Sequence, residues 1–109
     1  MTNKYISMLG LARRAGKLDM GHDTVCDAVR RRRVKLLVLT GDSAKRLEEE
    51  LLRLTEQYCR NVPCVRIPET MDEIHFSLGY RAGVMAVNDS NFATRIIELI
   101  QQEGNTYGD

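Results

Sequence analysis

Apolar residues recur along the chain in two rhythms, and each rhythm marks an element. Tyr5, Met8, Leu9 and Ala12 follow the i, i+3, i+4, i+7 spacing of one buried stripe, which predicts a first helix over residues 2–15. Gly16 follows as a natural stop, the residue that most easily takes the left-handed conformation after a helix. Lys17 to Met20 is short and reads as an edge strand. Val25, Cys26 and Val29 give the stripe of a second helix, residues 22–32, opened by Gly21 and ended by four arginines, Arg30 to Arg33. The apolar run centred on Leu36-Leu37-Val38-Leu39 predicts a central strand over Lys35 to Thr40, covered on both faces.

After Gly41-Asp42-Ser43, Leu47, Leu51, Leu54 and Tyr58 predict a third helix, with Glu48, Glu49, Glu50 and Arg53 on its solvated side. Cys64-Val65-Arg66-Ile67 is extended and lies between Pro63 and Pro68. Thr70 and Glu73 have capping-box spacing and open a short helix to about Leu78. Gly79 to Gly83 is a loop and Val84 to Val87 a buried strand. Asn88-Asp89-Ser90 caps a last helix whose Phe92, Ile96, Leu99 and Ile100 face inward, and from Gln101 the chain turns polar and is expected to fray. Helices and strands alternate with short connections, so one α/β domain is expected over residues 1–101, with a polar tail at 102–109. Helical crossovers between strands predict mostly parallel pairs.

Composition fits that picture. The 109 residues are 43% hydrophobic and 28% charged, enough for one core and too apolar for a disordered chain. No apolar run approaches the roughly 18 residues of a membrane span, and the first six residues lack a signal core, so no membrane partner and a cytoplasmic location are expected. Cys26, Cys59 and Cys64 are odd in number with no C-x-x-C pair, which favours buried reduced thiols over a metal or redox centre.

Charge distribution says more than net charge, which is only +1. Residues 1–35 carry nine Lys/Arg against three Asp, while the remainder carries seven bases against twelve acids. That polarity suggests one basic face aimed at an anionic partner.

Catalytic chemistry is sparse. Gly41-Asp42-Ser43 follows a strand, as a phosphate loop does, but neither G-x-x-x-x-G-K-[ST] nor G-x-G-x-x-G is present, and Asp42 reads as a cap of the following helix. His22 and His75 are far apart, without the H-x-x-x-H or H-E-x-x-H spacing of a metal site, and are expected in surface or capping roles. Asp72-Glu73 complements a helix dipole. No enzyme activity, cofactor or metal is expected.

Several phrases in order resemble the ribosomal L7Ae/L30e family, in particular its short bacterial, YlxQ-like members. They are Leu11-Ala12-Arg13-Arg14-Ala15-Gly16-Lys17, Gly21 at a helix start, Lys35 to Leu39, Val62-Pro63-Cys64-Val65, and Leu78 to Val87 with Asp89 and Phe92-Ala93. The resemblance spans about Lys4 to Ile100 and implies a three-layer α/β/α sandwich around a four-stranded mixed sheet. It also implies binding to structured RNA, either kink-turn or ribosomal RNA, with the ribosome as a possible setting. In that family the RNA site combines a Gly-x-Asn-Glu-x-x-Lys segment at a helix start with a small-residue loop before the last strand. Matched by position, these are Gly21, His22, Asp23 and Thr24, and the loop Arg81-Ala82-Gly83-Val84, with Arg14 and Lys17 as phosphate contacts. The arginine run, with Arg31, offers a separate source of charge for phosphates.

Three positions depart from the pattern: Asp23 stands for Asn, Thr24 for Glu and Asp27 for Lys. Asp23 accepts hydrogen bonds but cannot donate one as an amide does. Asp27 would repel a phosphate by about 3 kcal/mol at 6 Å and an effective dielectric of 20. The expected function is therefore non-catalytic RNA binding with altered recognition. The alternative is a protein–protein interaction module on the same fold that has lost kink-turn recognition.

Overall fold

The computed structural model describes residues 3–107, with side chains through residue 103. Residue 2, the expected start of the first helix, and residues 108–109 of the expected tail lie outside it. Among the described residues five helices and four strands alternate: α1 (Lys4–Arg14), β1 (Leu18–Met20), α2 (His22–Arg30), β2 (Leu36–Leu39), α3 (Lys45–Tyr58), β3 (Cys64–Arg66), α4 (Met71–Leu78), β4 (Val84–Val87) and α5 (Ser90–Tyr107). The last helix continues past Gln101, where the polar sequence predicts fraying.

Local chemistry explains the boundaries. Asn3 accepts from the Ile6 N–H to start α1, Thr70 and Glu73 form both bonds of the expected capping box on α4, and Asp89 accepts from the Phe92 N–H on α5. At the end of α1, Gly16 has φ 74°; its N–H reaches the Arg13 carbonyl and that of Lys17 the Ala12 carbonyl, a Schellman motif. Helix α2 ends on the same pair of bonds, Arg32 to Val29 and Arg33 to Ala28, with Arg32 itself at φ 60°. The four arginines are therefore not a continuous stretch of helix: Arg30 closes it, Arg31 caps it and turns with Arg32, and Arg33 lies beyond the turn.

Strand order is β1-β4-β2-β3. Only β2 and β3 are parallel neighbours, while β4 runs antiparallel to both β1 and β2. This corrects the expectation of mostly parallel pairs. The crossovers through α2 and α3 do set β1, β2 and β3 in one direction, but β4 lies between β1 and β2 and turns one parallel neighbour into two antiparallel ones.

Alternation along the strands makes the three layers. Leu36 and Val38 of β2 with Met85 and Val87 of β4 face α1, α4 and α5, burying Leu9, Ile74 and Ile96. Leu37 and Leu39 with Val84 and Ala86 face α2 and α3, burying Val25, Val29 and Leu51. Each such side chain taken fully out of water contributes roughly 1.5–3 kcal/mol of transfer free energy. Among the described residues, no helix is long and apolar enough to cross a membrane.

Candidate nucleic-acid interface

Gly21 is the joint around which this surface is built. At φ 96° and ψ 157° it turns the chain from β1 into α2, a conformation that a side chain would strain. Its N–H donates to the Val84 carbonyl at 3.0 Å, tying the start of α2 to the loop that leads into β4. No side chain caps α2, and the N–H groups of His22, Asp23 and Thr24 precede the first intrahelical bond, Val25 N–H to Gly21 carbonyl. This is a helix N-terminus with free donors beside a loop, the arrangement that receives anions and polar edges. Asp23 and Thr24 are exposed on it.

The four loop residues contribute unequally. Ala82 and Val84 are buried in the two cores, so they offer only backbone, whereas Arg81 is exposed and Gly83 partly so. Arg81 pairs with Asp72 at 3.0 Å. Tyr80, which sequence reasoning passed over as a contact, is half exposed, and a methyl built on Gly21 would lie 3.6 Å from its hydroxyl. The hydroxyl end of its ring thus flanks the helix start. Behind it, the guanidinium of Arg13, rather than that of Arg14, bonds the Leu78 carbonyl at the end of α4.

The other bases expected at this site lie elsewhere. Lys17 stands at the far end of β1, roughly 13 Å from Gly21 along an extended chain, and its carbonyl accepts from Asn88 beyond the end of β4. Arg31 lies at the opposite end of α2, roughly 15 Å away at 1.5 Å per residue. Lys35 donates its N–H to Val87 at that same end of the sheet. A shallow groove there is lined by Arg32, Lys35 and Arg60. The sheet therefore has a Gly21–Val84 end with free backbone donors and a Lys17–Lys35 end with clustered cations.

Arg31 is also engaged. Its Nε lies 3.0 Å from Asp27 Oδ2, one turn back on α2. The acid that stands where the family has a lysine is thus neutralised by the helix's own arginine.

His22 does not simply face solvent. Its Nδ1 lies 3.2 Å from Asp23 Oδ1, its Nε2 3.1 Å from Glu50 Oε2 on α3, and Cys26 Sγ 3.6 Å from the same Nε2. Hydrogen bonds that the imidazole donates to Asp23 first and Glu50 second raise its pKa. Burial, followed by the Glu50 charge, raises that of the Cys26 thiol. The i, i+4 relation of His22 and Cys26 is visible in sequence, but Glu50 joins them only through the packing of α2 on α3. Of the three free thiols Cys26 is buried, as expected, whereas Cys59 and Cys64 are half-buried, which corrects the expectation for those two. Burial pushes the Cys64 thiol up to about 11.

The Gly41-Asp42-Ser43 loop is structural. Asp42 accepts from the Thr40 hydroxyl and from the Met71 N–H, both at 3.0 Å, so it caps α4 instead of the following helix as expected. Burial raises its carboxyl pKa, but these hydrogen bonds outweigh that and hold it below the ordinary value. The Arg66 guanidinium crosses the loop to the Thr40 and Ser43 carbonyls at 2.9 and 3.0 Å and to Glu48 at 2.7 Å, leaving no open cradle for a phosphate.

A five-helix, four-stranded α/β/α sandwich with a helix start beside the last-strand loop defines a class of small proteins, and relatives place the chain within it. The family model for the ribosomal protein L7Ae/L30e/S12e/Gadd45 family matches residues 4–74. The chain belongs to this family. It is 33% identical over 98 residues to RNA-binding protein YlxQ of Bacillus subtilis, covering 89% of this chain and 95% of that one. Against RNA-binding protein YlxQ of Enterococcus faecium it is 28% identical over 98 residues, covering 90% and 92%. Among solved structures, a Bacillus halodurans protein of unknown function superposes with a TM-score of 0.80 at 28% identity, covering 92% and 99% of the two chains. The Giardia lamblia 15.5kD RNA binding protein superposes at 0.67 with 16% identity over 94% and 92%, a likeness of fold.

Proposed function

We propose that this chain is a non-catalytic, cytoplasmic RNA-binding protein that docks structured RNA on the Gly21–Val84 end of its sheet. Residues 1–101 would act as the binding domain and 102–109 as its tail. The observation that carries the reading is the Gly21 N–H to Val84 carbonyl bond, which joins the uncapped start of α2 to the loop before β4 in a chain of this family. Relatives of similar length named as RNA-binding proteins support it. In this reading the backbone around Gly21, Gly83 and Ala82 and the side chains of His22, Asp23, Thr24 and Arg81 meet the RNA, with Tyr80 as a stacking face. Arg14, Lys17 and Arg31 reach flanking phosphates without reading sequence. Kink-turn and ribosomal RNA are the substrates we favour, with the ribosome as the setting.

Calorimetry of the purified chain against a kink-turn, a ribosomal RNA fragment and a plain duplex in low salt tests this. Binding to the kink-turn or the ribosomal fragment more tightly than to the duplex is expected, and no binding to any of them sinks the proposal. A second reading, a protein–protein module on the same fold, draws on Asp23, Thr24 and Asp27, where acids and a hydroxyl replace the family's amide, carboxylate and ammonium. A protein partner retained from ribonuclease-treated lysate, with no RNA binding in the calorimeter, would favour it.

A further inference from the structure

His22 Nε2, Cys26 Sγ and a Glu50 carboxylate oxygen converge from two helices, all within 4.8 Å of one another. We propose that they form a binding site for a divalent, borderline-soft metal ion of the zinc class, with the fourth position open to solvent. The spacing is that of a coordination sphere. Bonds of about 2.3 Å to sulfur and 2.05 Å to imidazole nitrogen, at a tetrahedral angle, set the two donors about 3.6 Å apart. The sulfur and Nε2 are 3.6 Å apart here. Nitrogen and oxygen donors on such an ion lie about 3.3 Å apart, and Nε2 and Oε2 are 3.1 Å apart.

The imidazole is already turned for the task. Asp23 Oδ1, 3.2 Å from Nδ1, accepts the N–H of that nitrogen and turns Nε2 toward Cys26 and Glu50. A bound metal would displace the proton that Nε2 shares with Glu50. A carboxylate behind a ligating histidine fixes both tautomer and ring orientation. The two helices are held together beside the site: Cys26 is buried on the face of α2 that packs with Leu51, the residue after Glu50. His22 and Glu50 are about half exposed, so a water or another small ligand can complete the sphere. Nitrogen, sulfur and carboxylate donors together select zinc-like ions over magnesium or calcium, which prefer all-oxygen shells. The site is independent of whether the chain binds RNA, and it would clamp the first turn of α2, where the RNA reading places its contacts, onto α3.

The test uses the full chain, reduced, stripped with chelator and free of RNA, titrated with Co2+ and then Zn2+. One equivalent of Co2+ is expected to give tetrahedral visible bands and a thiolate-to-cobalt charge-transfer band, both displaced by Zn2+. Cys26→Ser should abolish the charge-transfer band. Glu50→Gln, at an exposed position that leaves the fold alone, should weaken binding at least about tenfold, the upper end of what even an outer-shell partner contributes being larger still. Absence of stoichiometric binding overturns the proposal. So does a charge-transfer band that survives Cys26→Ser, which would assign the metal to Cys59 or Cys64, or unchanged affinity in Glu50→Gln.

Discussion

Asp27 is where the two faces of this chain's chemistry meet. Its pair with Arg31 is well made at 3.0 Å, but both side chains are 60% exposed, so it adds little to stability. Its effect is on what approaches: a phosphate at this turn meets a neutral pair where a bare aspartate would repel it. Replacing Asp27 with Lys swings the charge by two. At roughly 6 Å and the dielectric of water each charge contributes about 0.7 kcal/mol, so the swing is about 1.4 kcal/mol, or tenfold in affinity. The figure of about 3 kcal/mol per charge assumes an effective dielectric of 20, and the solvent around so exposed a residue screens it toward the value in water. The new lysine would sit one turn after Asp23, a favourable helix pair, which offsets its repulsion of Arg31. Asp27→Lys is therefore expected to bind kink-turn RNA about tenfold more tightly with little change in melting temperature. Unchanged or weaker affinity by calorimetry would count against RNA approaching along this turn. Sequence showed Asp27 as an acid in a lysine's place, but its neutralisation depends on rotamers. The His22–Glu50 contact depends on helix packing across 28 residues. Both were hidden for the same reason: side-chain partners across turns and helices leave no periodic signal.

Two helices end on one motif, and they fill its left-handed position differently: Gly16 after α1, Arg32 after α2. A residue with a Cβ is disfavoured there by roughly 1–2 kcal/mol, while glycine costs more entropy on folding, so the net advantage of glycine is about 0.5–1 kcal/mol. Arg32→Gly is expected to raise stability by that amount. In contrast, Gly16→Ala should lower it by a similar amount, since nothing lies within 4 Å of a Cβ there and only backbone strain is at work. Urea unfolding of both variants checks this; a destabilised Arg32→Gly would show that the arginine side chain makes up for its backbone. Nearly all elements were legible in the sequence, because helical stripes such as Tyr5, Leu9 and Ala12 and apolar runs such as Leu36 to Leu39 are local. Strand adjacency was not. The crossover helices α2 and α3 fix strand direction, but nothing in residues 84–87 says that this strand enters between β1 and β2. The end of α2 was misjudged because four arginines are good helix formers, and only the Schellman bonds show the turn.

At the scale of the molecule, the proposed RNA site would divide the work of holding an anion between the two ends of the sheet. The excess of bases in residues 1–35 suggested one basic face. The fold instead sends Lys17, the arginine turn and Lys35 to the Val87 end, and leaves Gly21, Tyr80 and Gly83 at the Val84 end. An RNA long enough to lie across both would be recognised at one end and held through its phosphates at the other. Salt separates the two contributions, because each neutralised phosphate adds about 0.9 to the slope of log affinity against log salt. Arg30, Arg33 and Lys35 are exposed, and replacing all three with Ala spares the Arg31–Asp27 pair. That variant is expected to flatten the salt slope by between about one and three while keeping its preference for kink-turn or ribosomal RNA over plain duplex. Tyr80→Ala should do the reverse, losing preference with the slope unchanged, because a stacking contact releases no counterions. Equal slopes in the triple variant and the parent would mean that RNA never reaches the arginine turn. The basic end would then have to serve something other than the RNA held at Gly21.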